Sequence, residues 1–454
     1  MKNKYDAIII GGGTAGSVAA AYLAKSGLDV ALFEKNPQIG DGRYVMNEIY
    51  NCPARPFIPT MNRWYYKNKG WWFTCADELD IDLHYVFIPN SAITNKKNSF
   101  PLLAPFCTCG EAFASYLKDE YGDSISDEAC KDAEKIFDEF LNHPRSYWME
   151  PERYTETAYD YITSITDNGE IRDIFQKLPG EFGMKNICLK EMSLSVFATT
   201  VLGKFACSWT PIMTLNDIPT LIVDEFGKAA ERYGAEIFLN TKVNKVNISD
   251  DRAKSIEVNG TTVEADRIII ATNWTDYNEL LGENLPAYAK ETIIKYATAS
   301  QEVYALQVGI NSYDVIPQPC WSNLCFMSED HELKLNMANP SWYCDPQCGV
   351  DNLIITAEVS VPLNTIRDTE QLKEEILQTI EDKYPGFKGS IECISDTKYY
   401  PSQDWELVAA KRIPNVSDIK GLYFCGGAAE GPAVIGLDRS AGSARDLCAK
   451  IFAE

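Results

Sequence analysis

At 454 residues the chain exceeds what one simple core accommodates, and its formal charge of −23 excludes a surface built to grip nucleic-acid phosphates. The same charge works against electrostatic attachment to anionic lipid. With 45% hydrophobic and 24% charged residues the composition is globular, and no apolar run reaches the roughly 18–20 residues that cross a bilayer.

Two lysines precede an apolar stretch at the start, superficially like a secretion leader, but glycines break that stretch after three isoleucines. The residues after Ile10 read as a working fold rather than a cleavage site, so the expected location is cytoplasmic. Tyr5 to Ile10 is a β-branched run suited to a strand buried on both faces of a parallel sheet. Gly11, Gly13 and Gly16 then fit G-x-G-x-x-G, with Thr14 and Ala15 inside the turn. The first glycine permits the tight turn, the second lets backbone approach a phosphate, and the third lets helix pack on strand. Ser17 to Ser26, rich in alanine, is a helix whose first amides face a pyrophosphate. Gly27 ends it and Asp29 to Phe33 forms the second strand. Glu34 closes that strand, where a carboxylate accepts hydrogen bonds from ribose hydroxyls, and Lys35 comes next. Strand, turn, helix, strand and terminal acid in this order identify a dinucleotide cradle, which FAD and NAD both use.

The aromatic stretch "FIPTMNRWYYKNKGWWF", Phe57 to Phe73, admits two readings: a packed edge or contact, or one wall of an apolar channel. Glu111 to His143 and Tyr154 to Lys177 read as acidic amphipathic helices, and Cys188 to Trp209 as a more apolar helix or lid. Asp217 to Arg232 is a helix with Asp217 as its cap. "QEVYALQVGI" and "NLIITAEVSV" read as strands, and "TEQLKEEILQTIEDKY" as a charged surface helix. Of fourteen cysteines only Cys107 with Cys109 and Cys344 with Cys348 lie close together, without the doubled pairs that mark zinc. With only His84, His143 and His331 in the chain, no metal centre is expected.

Three separated stretches resemble the FAD-dependent oxidoreductases that include phytoene desaturases, carotenoid isomerases, retinol saturase and the amine oxidases. The first is "KNPQIGDGR" after Glu34; the second runs from Asn240 to Asn273; the third is "GLYFCGGAAEGPAVIGLDRSAGSARDLCAKI", Gly421 to Ile451. The resemblance implies FAD as the cofactor, an α/β Rossmann-like FAD-binding domain, and an interleaved α+β substrate domain. The expected FAD-binding domain comprises 1–85, 216–275 and 401–454, and the substrate-binding domain 86–215 and 276–400. It also implies that Gly42, Arg43, Val243, Ala271, Gly426, Gly427, Val434 and Ile435 line the cofactor, with Val243 against the adenine. Two departures stand out. Asp41 interrupts the family's glycine pair beside Arg43, and Gly427 stands where many relatives carry an aspartate for the ribityl chain.

The last helix is expected to start near Gly436 to Asp438, its positive end toward the flavin. Pro432 to Ile435 is aliphatic, where similar amine oxidases place rings around an amine. The implied activity is therefore desaturation, saturation or isomerisation of carbon–carbon bonds in a polyene, isoprenoid or lipid. Glu430 and Asp438 are the acid–base candidates. The alternatives are a flavin amine or amino-acid oxidase and a non-catalytic FAD-binding protein. No nucleic-acid partner is expected; a peripheral membrane contact and the oligomeric state stay open.

Overall fold

Alternation along one short strand organises the amino-terminal part of the molecule. In Lys4–Ile10, Ile8 and Ile10 join one buried cluster while Ala7 and Ile9 join another, so both faces of the sheet are covered. The computed structural model describes residues 1–40, 62–65, 70–82, 85–87, 92–94, 99–101, 107–181, 188–205, 209–214, 221–299, 301–311, 314–316, 320–328, 331–339, 353–362, 368–399, 408–432 and 436–453.

Strands Glu236–Phe238, Val30–Phe33, Lys4–Ile10 and Thr261–Ile270 lie side by side in that order, all parallel. Thr261–Ile270 divides its far edge between two partners. Its first residues pair antiparallel with Arg252–Val258, which pairs with Val243–Ser249, while Ile268–Ile270 pair parallel with Leu422–Phe424. On one face pack the helices Thr14–Lys25, Trp71–Glu78, Leu221–Arg232 and Gly436–Ala453. Alanine dominates the inner surface of Thr14–Lys25, which lets two further helices approach it closely. The opposite face continues into a helical layer through Phe113, Phe137, Phe140, Trp148 and Phe197. Phe113 and Phe137 stack there with centroids 4.5 Å apart. The chain is thus α/β, with a Rossmann-like sheet.

A second sheet has the order Ile391–Tyr399, Gln301–Ile310, Leu353–Pro362, His331–Asn339, Cys320–Ser328, Ala92–Thr94, Ser99–Pro101. Tyr304, Leu306, Val308, Ile355, Ala357 and Val359 alternate onto one face and meet Leu372, Ile376 and Ile380 of the helix Thr369–Lys383. A small third sheet joins Asn62–Tyr65, Trp209–Thr214 and Tyr85–Phe87.

Several helices are shorter than their hydrophobic period suggests. Glu111 to His143 is two helices, Gly110–Tyr121 and Asp127–Asn142: Gly122 turns at φ +59° between them, and the Ser126 side chain accepts from the Ala129 amide as a cap. Tyr154 to Lys177 is three pieces, Pro151–Thr155, Ala158–Ile165 and Gly169–Glu181, with Thr157 capping the second. Cys188 to Trp209 narrows to the helix Leu194–Phe205, and the helix before Arg232 begins at Leu221, Asp217 lying outside the described residues. Of the aromatic stretch, Trp72 and Phe73 are core, with Trp72 edge-on to Phe226 at 5.5 Å; Phe57 lies outside the described residues.

Candidate functional site

Three loops leave the same edge of the parallel sheet, at the carboxyl ends of Lys4–Ile10, Thr261–Ile270 and Leu422–Phe424. In open α/β sheets this is where ligands bind. The first loop is the glycine turn. Gly11 sits at φ +103°, a region side chains disfavour, and its amide donates to the Phe33 carbonyl at 2.8 Å. A Cβ on Gly16 would fall 1.9 Å from the Gly11 oxygen, so only glycine lets the helix pack this close to the strand. Gly13 is the opposite case: a Cβ there meets nothing within 4 Å, which leaves room for a ligand against the backbone.

Gly13 caps the helix Thr14–Lys25 with no side-chain hydrogen bond. The Thr14 hydroxyl is buried and without a partner. An uncapped helix start, an orphaned hydroxyl and open space beside the backbone together fit a pyrophosphate. Next to the turn, Glu34 is buried, accepting from the amides of Gly12 at 2.6 Å and Asn36 at 2.8 Å. Burial pushes its carboxyl up, against the pull of those two amides. Each oxygen keeps a second lone pair for a ribose hydroxyl.

The second loop begins at Ala271, whose amide donates to the Ile10 carbonyl at 2.9 Å. The third comes after Phe424. Cys425 donates to the Ile270 carbonyl at 3.1 Å, and Gly426 then turns at φ +113°. A Cβ on Gly426 would stand 3.6 Å from the Ala15 Cβ. The beginning and the end of the chain therefore meet at one place.

Side chains hold this last loop. Asn415, fully buried, donates to the carbonyls of Phe424 and Glu430, each at 3.1 Å. The Ser443 hydroxyl accepts from the Gly426 amide at 3.1 Å and donates to the Glu430 carbonyl. Arg439, fully buried in the first turn of the terminal helix, donates to the carbonyls of Gly427 at 2.9 Å, Ala429 at 2.8 Å and Pro432 at 2.7 Å. Tyr154 donates to the Gly431 carbonyl at 2.8 Å. A Cβ on Gly442 would lie 2.5 Å from the Pro432 Cγ, so loop and helix are in direct contact.

Gly11, Gly13, Thr14, Ala15, Gly16, Glu34, Ala271 and Gly426 all belong to this convergence. Gly427 contributes its carbonyl to Arg439. Val243 is buried at the start of its strand, which the Thr241 amide ties to the Glu34 carbonyl at 2.8 Å. Lys35 is more than half exposed, 3.5 Å from the Asp276 carboxylate. Glu430 is paired with Lys450 at 2.8 Å and its side chain is 46% exposed. Asp438 accepts from the Trp72 amide at 2.8 Å, and a Cβ on Gly70 would collide with it. The two carboxylates thus serve different partners. Gly42, Arg43, Val434 and Ile435 lie outside the described residues. Asn415, Ser443, Arg439 and Tyr154 escape a reading of the sequence. The one signal is Ala441-Gly442-Ser443-Ala444, four small residues that announce a helix packed on every side, just after an arginine.

Sheet and turn define a Rossmann-type dinucleotide-binding protein, and a family model described as an NAD(P)-binding Rossmann-like domain matches residues 9–63. An engineered double mutant of putrescine oxidase superposes with a TM-score of 0.63 at 16% identity, covering 99% of both chains. In sequence, the chain is 22% identical over 445 residues to 4,4'-diapolycopen-4-al dehydrogenase of Metabacillus indicus, covering 91% of this chain and 84% of that protein. It is 58% identical over 41 residues to digeranylgeranylglycerophospholipid reductase of Methanosarcina mazei. That match spans 9% of this chain and only 10% of the reductase.

Proposed function

We propose that this protein is an FAD-dependent oxidoreductase acting on carbon–carbon bonds of an apolar isoprenoid or lipid. The close approach of Gly426 to Ala15, near enough that a Cβ on the glycine would touch it, supports the cofactor part of this reading, because one long dinucleotide can then reach both loops. The apolar substrate is supported by the similarity to 4,4'-diapolycopen-4-al dehydrogenase along nearly the whole chain and by the short matches to digeranylgeranylglycerophospholipid reductases. The amine-oxidase fold likeness, at 16% identity, speaks for architecture and not for substrate.

In this reading Gly11 to Gly16 and the Thr14 hydroxyl hold the pyrophosphate, Glu34 the adenosine ribose, and Val243 the adenine side. Bound FAD supplies the redox chemistry by accepting or giving hydride. The terminal helix directs its positive end at the site, which favours a ring carrying extra negative charge. Glu430, held by Lys450, is the carboxylate nominated first for proton transfer; Asp438, in the first turn of that helix, is the second. The FAD-binding domain is read as 1–85, 216–275 and 401–454, with the remainder binding substrate. Among the described residues no helix is long and apolar enough to cross a membrane. We place the protein in the cytoplasm, with a peripheral membrane contact as the route to an insoluble substrate.

The test is the absorbance spectrum of purified protein after reconstitution with FAD, and then anaerobic mixing with polyenes, isoprenoid lipids and amines. Bleaching of the flavin by a polyene, or reoxidation of reduced flavin by an unsaturated isoprenoid, is expected. A protein that binds no flavin refutes the cofactor assignment, and one bleached by amines alone refutes the substrate class.

A further inference from the structure

Two arginines lie buried behind the Gly426–Pro432 loop, and one of them is placed against its helix. Arg439 occupies the first turn of Gly436–Ala453, the positive end of the helix, where a cation is disfavoured. It is nevertheless fully buried, its fork holding the carbonyls of Gly427, Ala429 and Pro432. The Arg412 guanidinium, also buried, donates to the Tyr296 hydroxyl at 2.9 Å. The Tyr154 ring has Arg412 at 5.2 Å and Arg439 at 5.7 Å from its centroid.

Resting on the proposed FAD reading, sheet order sets the direction of the cofactor. Glu34 comes directly after Val30–Phe33, and the glycine turn directly after the neighbouring strand, Lys4–Ile10. A dinucleotide with its ribose at Glu34 and its pyrophosphate at the glycine turn continues toward the next strands, Thr261–Ile270 and Leu422–Phe424. Its ring end therefore arrives over the Gly426–Pro432 loop and the start of the terminal helix, where Arg439 is fixed.

We propose that Arg439 is a positioning residue that shapes the flavin loop through three carbonyls and, by its fixed charge, makes the bound flavin easier to reduce. On accepting two electrons and one proton the ring gains one net negative charge. A permanent cation a few residues behind the loop, screened by protein rather than water, favours that product over the neutral oxidised ring. Arg412 adds a second charge beside Tyr154, with a smaller effect. Tyr154, on Pro151–Thr155, links this charge pair to the loop through the Gly431 carbonyl.

The experiment compares the FAD-loaded wild type with Arg439→Gln and Arg439→Lys, measuring FAD dissociation and the midpoint potential of the bound flavin against a reference dye. Arg439→Gln is expected to move the potential to more negative values. Arg439→Lys keeps the charge and so the potential, but loses the fork and weakens FAD binding about tenfold. Should Arg439→Gln not fold, Arg439→Lys decides: weaker FAD binding at an unchanged potential supports the inference, and unchanged FAD binding or a shifted potential overturns it. An Arg439→Gln holoprotein with an unchanged potential overturns the inference and leaves the functional reading intact. A wild type that binds no FAD overturns the functional reading itself.

Discussion

The two loops that meet at Ala15 and Gly426 are held by opposite means. The amino-terminal turn is shaped almost wholly by backbone: Gly11 at positive φ, Gly16 against the Gly11 oxygen, and a helix start with no side-chain cap. The carboxy-terminal loop is shaped by side chains, with Asn415, Ser443, Arg439 and Tyr154 each bonding its main chain. A turn of this kind leaves the helix start without a side-chain cap and open to phosphate. A side-chain-built loop presents a fixed surface and a chosen charge. In the proposed reading, one grips the cofactor and the other adjusts its environment.

Breaking the first loop should cost most. Gly16→Ala drives a methyl into the Gly11 carbonyl and is expected to destabilise by about 3 kcal/mol, abolishing flavin retention. Thermal unfolding and bound flavin per mole of protein check this. Breaking the second loop comes next. Asn415→Ala leaves the Phe424 and Glu430 carbonyls without their buried donor, a loss of roughly 2 kcal/mol in chemical denaturation, with flavin binding weakened but retained. Gly442→Ala, which pushes on the Pro432 ring and not on backbone, should cost about 1 kcal/mol by the same measurement. If Gly442→Ala proves costlier than Gly16→Ala, the contrast between the loops is wrong.

Glu34 sharpens the comparison through pH. Its carboxyl is raised in the folded protein, chiefly by burial, so the ionised form weighs against folding. That penalty is fully present above the raised folded value and disappears as pH falls through it to the ordinary carboxylate value. Glu34→Gln gives up one of the two amide contacts at every pH but is spared the ionisation penalty, so the melting temperature of the flavin-free variant should improve relative to wild type as pH rises toward neutrality. A variant whose melting temperature falls further behind wild type as pH rises would contradict this. At the small end, Lys35→Ala removes only an exposed pair with Asp276 and should change unfolding by no more than about 0.5 kcal/mol. A large loss of flavin affinity in that variant would show direct contact with the cofactor.

Legibility in the sequence divides along the same line. Tyr5 to Glu34 could be read residue by residue because its constraints are local: a β-branched strand, three spaced glycines, an alanine helix and a terminal acid. Strands Gln301–Ile310 and Leu353–Pro362 could also be read, as their alternation is regular. The hairpin of Cys320–Ser328 and His331–Asn339 could not, since polar residues interrupt its pattern. Nor could Asn415 and Tyr154 be recognised as part of the site, because Tyr154 reaches Gly431 from a helix far away in the chain. The breaks at Gly122 and Thr157 depended on single turn and cap residues inside otherwise continuous helical periods.

The divided edge of Thr261–Ile270 has a consequence for biosynthesis. Ile268–Ile270 expose unpaired main-chain groups until Leu422–Phe424 arrive, and the terminal helix can seat only after them. Synthesis must therefore run past residue 424 before this edge is covered, and a nascent chain stalled in the interval presents an open strand edge to chaperones or to its neighbours.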